Sequence, residues 1–146
     1  MCSSDLETCV ARAIKKARDA GVDNFRVILA DAANLEELFP EDSVDLIWLH
    51  FSDPWPKKRN HKRRLTYPTF LEKYRKILKD KGIIIFKSDN RDFFEDSLGY
   101  FESAGMRLLE CDFDYHSKGE PMTAYQAKFS AEGKPICFAK YQVDKV

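Results

Sequence analysis

Glycine is scarce in this chain: six residues in 146, at positions 21, 82, 99, 105, 119 and 133. None stand close enough to form the glycine cluster that lets a backbone approach a phosphate or a cofactor. Cysteine is no richer. Cys2, Cys9, Cys111 and Cys137 form no C-x-x-C pair and fit no common zinc spacing. No metal site is expected, and reduced thiols in a cytoplasmic protein are. No apolar run approaches the roughly 18 residues needed to span a bilayer, so no membrane partner is expected. The start, MCSSDLETC, has neither the basic end nor the apolar stretch of a secretory signal, so no leader is expected. Charge of one sign is not in excess either, with 24 basic and 24 acidic residues. Taken whole, that balance argues against a nucleic-acid partner.

The distribution of the charge argues the other way. From Lys57 to Arg64, six of eight residues are Lys or Arg, while the acids are spread along the rest of the chain. This is a local basic patch on a balanced protein. The remaining composition, 44% hydrophobic and 33% charged, is that of a folded domain, and the length suits one, residues 1–146.

Periodicity orders the elements. Residues 5–20 repeat apolar side chains at helical steps and end at Gly21. Residues 25–30 (FRVILA) and 44–51 (VDLIWLHF) read as strands, the second apolar on both faces as in a parallel sheet. Residues 35–38 form a brief helical turn, and Pro54 and Pro56 predict an extended loop. A helix over 67–78, a strand over 82–87 (GIIIFK), a helix over 92–104 and a strand over 106–115 follow. Residues 116–128 read as a loop or short helix, and 136–143 as a last, antiparallel strand. Alternating strands and helices predict an α/β fold with a mostly parallel sheet and an antiparallel edge hairpin at the end.

In such sheets ligands bind beyond the carboxyl ends of the strands. Asp31, Asp53 and Asp89 each follow a predicted strand. A lone aspartate there is as readily a helix cap or a turn residue. Three in register favour a site. Asp53-Pro54-Trp55-Pro56 is the sharpest signal, because the prolines restrict the backbone around an indole that lies beside the basic run. Cations meet phosphates and an aromatic ring stacks on a base, so this pairing suits nucleic acid. A solvated loop or a localisation-type cluster is the bland alternative for the charges alone.

The run FSDPWPKKRNHKRRLT, between a strand and a helix, resembles the signature of the tRNA guanine-N7 methyltransferases. Lys87-Ser88-Asp89-Asn90 is similar to that family's K-T-D-N, Met122 to Phe129 (MTAYQAKF) to T-x-[YF]-E-x-K-F, and Asp31-Ala32 to its D-A pair. The resemblance runs from Asp5 to Val143. It implies a Rossmann-like fold that uses S-adenosyl-L-methionine to methylate guanine N7 in the variable loop of tRNA, at position 46, by a monomer or homodimer.

Carried over residue by residue, the resemblance places Asp5, Asp31, Ala32 and Asp53 at the cofactor, with Asp53 also the active-site acid. It places Lys57, Asp89, Thr123, Ala124, Tyr125 and Gln126 at the substrate. Arg59, Asn60, His61, Lys62, Arg63 and Arg64 would hold the RNA. Two departures stand out. Gln126 replaces the family's Glu, and the family's opening strand with its E-[IV]-G-x-G-x-G turn has no counterpart here. The chain is therefore expected to lack the first strands of the sheet, to hold the methionine end of the cofactor poorly, and to be marginally stable or partner-dependent by itself. The alternative function is a non-catalytic tRNA-binding module derived from such an enzyme.

Overall fold

The computed structural model describes residues 3–26, 28, 30–115, 133 and 135–145; for residues 3–9 it describes the backbone only. The chain divides into two compact units, Met1–Asn34 and Leu35–Val146.

The first unit is built on helix α1 (Ser3–Asp19), which carries Lys16 and Arg18 in its last turn. Gly21 follows at φ 72°, a left-handed turn that favours glycine. Ile14, Val22, Phe25 and Ile28 stay exposed, since so short a unit cannot enclose a core. Residues 25, 26, 28 and 30 lie in no strand, which corrects the expectation for FRVILA. Strand propensity alone does not make a strand: the backbone groups need a ladder partner, and none is present among the described residues. A short 3-10 helix (Ala32–Asn34) closes the unit.

The second unit holds helix α2 (Leu35–Leu38), strand β1 (Val44–His50), a 3-10 helix (Lys58–Arg63), helix α3 (Pro68–Ile77), strand β2 (Leu78–Ser88), helix α4 (Arg91–Ser103), and strands β3 (Arg107–Asp112) and β4 (Cys137–Gln142). The sheet order is β1-β2-β4-β3. β1 and β2 pair in parallel, and β4 pairs antiparallel with both β2 and β3. Three strands thus run one way and β4 alone runs against them, so the expected α/β class with a mostly parallel sheet is observed. The expected terminal hairpin is present, although its last strand sits inside the sheet and β3 forms the edge. β2 also starts at Leu78 rather than at Gly82, directly after α3. A Cβ at position 82 would lie 2.8 Å from the Lys79 carbonyl oxygen, so only glycine fits that bend.

Alternation along the strands separates two faces. Ile84, Phe86, Ala139 and Tyr141 face α3 and α4 and pack with Leu71, Tyr74, Phe93, Phe94 and Phe101. Phe86 stacks on Phe94 with centroids 5.7 Å apart, and Phe101 on Tyr141 at 4.2 Å. Each such buried aromatic contributes about 1.5–3 kcal/mol of transfer free energy. Ile85, Phe138 and Tyr115 cluster on the other face. Loss of water around the Tyr74 hydroxyl raises its pKa well above the usual phenol value, and its O–H donates to the Leu65 carbonyl at 2.7 Å.

Candidate active site at the strand tips

The β1–β2 register sets the site. His50 pairs with Lys87, and the Phe51 N–H donates to the Lys87 carbonyl at 2.9 Å, so the two parallel strands end level. Asp53 follows one tip and Asp89 follows the other, and both are exposed.

The tetrapeptide after β2 divides its labour. Ser88 is buried and its hydroxyl accepts from the Asn90 N–H at 3.1 Å. Asn90 caps α4, its Oδ1 accepting from the Phe93 N–H at 2.9 Å. Lys87 is fully buried on the second face of the sheet. Its ammonium lies 5.0 Å from the Tyr115 ring centroid and 5.9 Å from those of Phe138 and Trp48. Three of the four residues therefore build structure, and Asp89 alone is presented outward. A lysine inside a strand of isoleucines was the available signal for Lys87, and sequence reasoning passed over it.

The loop after β1 is not the simple extended segment that the prolines imply. Phe51 has φ 55° and Trp55 has φ 41°, both in the left-handed region although neither is glycine. Two strained residues bracket Asp53. From Lys58 to Arg63 the chain turns as a 3-10 helix, in which side chains three apart eclipse. Arg59 then lies over Lys62, and Asn60 over Arg63. Lys57, Lys58, Arg59, Lys62 and Arg63 are exposed, whereas Asn60 and His61 are half-buried. The Arg63 guanidinium stands 5.1 Å from the centre of the Trp55 ring. A ring nitrogen of His61 lies 3.3 Å from the Pro56 carbonyl oxygen.

Arg64 departs from the rest of the run, whose other cations are exposed. It is only 3% exposed. Its Nε donates to the Pro54 carbonyl at 2.7 Å, and its Nη1 donates to Asp96 at 2.9 Å and to the Tyr100 hydroxyl at 3.1 Å. The guanidinium also lies 5.3 Å from the Phe93 ring centroid. These partners tie its Nε and Nη1 into the fold.

Asp31 lies in the first unit. Its Oδ1 accepts from the Ala33 N–H at 2.9 Å, and its carbonyl accepts from the Asn34 N–H at 3.0 Å. It caps the 3-10 turn, and its side chain is exposed beside half-buried Ala32. Asp5 lies in the first turn of α1. Thr123, Ala124, Tyr125 and Gln126 lie outside the described residues.

A family described as "Putative methyltransferase" matches residues 6–139. The chain belongs to this methyltransferase family. It is 42% identical over 140 residues to a protein of Bacillus velezensis named tRNA (guanine-N(7)-)-methyltransferase, covering 94% of this chain and 64% of that one. It is 45% identical over 133 residues to a protein of the same name from Mycoplasmopsis agalactiae, covering 88% of this chain and 64% of that one. The chain thus spans about 64% of the length of these curated relatives. A solved S-adenosylmethionine-dependent methyltransferase from Aquifex aeolicus superposes with a TM-score of 0.58 over 92% of this chain and 63% of that chain. At 16% identity, that likeness shows the methyltransferase fold alone. Membership in the family agrees with the resemblance drawn from the D-P-W-P run.

Proposed function

We propose that this methyltransferase chain, acting as one domain over residues 1–146, serves in the transfer of a methyl group from S-adenosyl-L-methionine to guanine N7 of tRNA, in the variable loop at position 46. The observation that carries the reading is the strand-tip arrangement. Two carboxylates end adjacent parallel strands, and an indole and five exposed cations follow the first of them. The names of its relatives support the same chemistry.

Guanine N7 carries a lone pair and no proton, so attack on the sulfonium methyl needs no general base. The cofactor would supply the methyl group as an electrophile, and the methylated purine would carry positive charge. Orientation and a suitable field are what the protein supplies. Asp53 orients the base and stabilises the cationic N7-methylguanine without taking a proton. Asp89 and Lys57 hold the substrate from the neighbouring strand tip and the start of the basic turn. Trp55 gives a stacking surface for a base drawn out of the folded RNA. Arg59, Lys62 and Arg63 bind the backbone, with Asn60 and His61 among them. Thr123, Ala124, Tyr125 and Gln126 belong to the substrate contacts in the same reading.

S-adenosyl-L-methionine supplies an electrophilic methyl group when bound. Asp31 fits one end of it, because its carboxylate is exposed and only one oxygen is engaged, by the Ala33 N–H. Asp31 and Ala32 take the adenine and Asp5 the ribose hydroxyls.

The test incubates the chain with unmodified tRNA and labelled cofactor and maps N7-methylguanine. Label is expected at position 46, and Asp53→Ala is expected to lower the rate by about 100-fold or more. Undiminished transfer by Asp53→Ala would remove the strand tip from the chemistry. Binding of tRNA without any transfer would favour the tRNA-binding module instead.

A further inference from the structure

We infer that Arg64 is a positioning residue that sets the geometry of the Asp53–Trp55 loop by gripping its backbone from beneath, rather than a contact to RNA. The inference rests on the reading of that loop as the reacting site. Three observations carry it. First, Phe51 and Trp55 hold positive φ on either side of Asp53. Such backbone persists only where the surroundings hold it. Second, a single buried guanidinium reaches the loop between those two residues, at the Pro54 carbonyl. Third, that guanidinium is fixed at its other end to α4 through Asp96 and the Tyr100 hydroxyl.

The anchor is itself built in. Thr66 and Ser97 are buried, their hydroxyls lie 2.7 Å apart, and the Ser97 hydroxyl donates to the Phe93 carbonyl at 2.7 Å. The segment just after Arg64 is thereby tied to the same helix. Meanwhile Asn90 starts α4 directly after Asp89. One helix thus positions Asp89 through its cap and the Asp53 loop through Arg64. The planar fork matters here, because a lysine has one point of charge and cannot serve the Pro54 carbonyl, Asp96 and Tyr100 in these directions.

The test reads the loop without RNA or cofactor. The chain has two tryptophans, Trp48 and Trp55. In a Trp48→Phe background, emission comes from Trp55 alone. Arg64→Ala and Arg64→Lys are both expected to red-shift Trp55 emission and to raise its quenching by acrylamide about two-fold or more, with far-UV circular dichroism unchanged. Asp96→Asn and Tyr100→Phe, which spare the arginine, are expected to move Trp55 in the same direction by less. They keep the test decisive where Arg64→Ala fails to fold.

Once tRNA is bound, Arg64→Lys should lower kcat by about 100-fold, while the salt dependence of tRNA affinity stays that of the unaltered chain. Two results would overturn the inference. One is unchanged Trp55 emission and quenching in both Arg64 variants. The other is an Arg64→Ala loss of salt dependence equal to that of Arg63→Ala with full recovery in Arg64→Lys, the behaviour of a phosphate contact. A chain that never methylates tRNA would defeat the functional reading and leave the Trp55 measurement standing.

Discussion

The basic turn makes a quantitative demand on RNA binding. Five cations between Lys57 and Arg63 are exposed, and Arg64 is withdrawn into the fold. If each exposed cation neutralises one phosphate, log K should fall with log salt at a slope of about −3.5 to −4.5, the shallower value applying to single-stranded contacts. Raising salt from about 50 to about 200 mM should then weaken binding roughly 100- to 500-fold. Replacing any one of Lys58, Arg59, Lys62 or Arg63 by Gln should reduce the slope by about 0.7–0.9, and Arg64→Gln should leave it alone. Fluorescence polarisation with unmodified tRNA across a potassium chloride series measures all of this. A slope shallower than about −2 for the unaltered chain would refute the reasoning. So would an unchanged slope in all four single variants, since either outcome means the turn does not lie along a phosphate backbone.

Two further outcomes concern stability. Asn90→Ala removes the acceptor for the Phe93 N–H at the start of α4 and should cost about 1 kcal/mol in urea unfolding; a change below about 0.3 kcal/mol would mean that Asn90 does not support the helix. Asp144 accepts from Lys81 and Gln142, each at 2.9 Å, and the Lys81 bond leads in holding its carboxyl below the usual aspartate range. A depressed folded pKa stabilises above the unfolded value of about 3.9 and loses that contribution as pH falls through the folded one. Asp144→Asn should accordingly be less stable than the parent at pH 7, and the two thermal midpoints should converge on acidification below about pH 4. A gap that persists undiminished at low pH would assign the effect to packing instead.

Much of the strand-tip arrangement was legible because it depends on local order. Apolar runs at 44–51 and 82–87 mark two adjacent strands, and the residues that follow them must lie at one rim. What stayed hidden depends on partners distant in sequence. FRVILA has the composition of a strand, yet a strand also needs a neighbour to bond. Six cations in eight residues look alike on the page, and only the meeting of residue 64 with Asp96 and Tyr100 separates an internal strut from a surface charge. Lys87 is the same kind of case: only the fold puts Tyr115 and Phe138 around it. Trp55 shows a different limit, because proline neighbours imply an extended residue, whereas it takes a positive φ next to a Pro54 carbonyl held by Arg64 and with the Arg63 guanidinium near its ring.

The position of β4 also has a consequence for how the protein is made. It is the last strand in chain order, and it lies between β2 and β3. While the ribosome is still extending the polypeptide, β2 has, among the described strands, only β1 to pair with, and β3 has none of them until residues 137–142 emerge. The nascent chain must therefore hold two open strand edges until synthesis of the sheet is nearly complete, and closure comes in one late step that joins both sides at once.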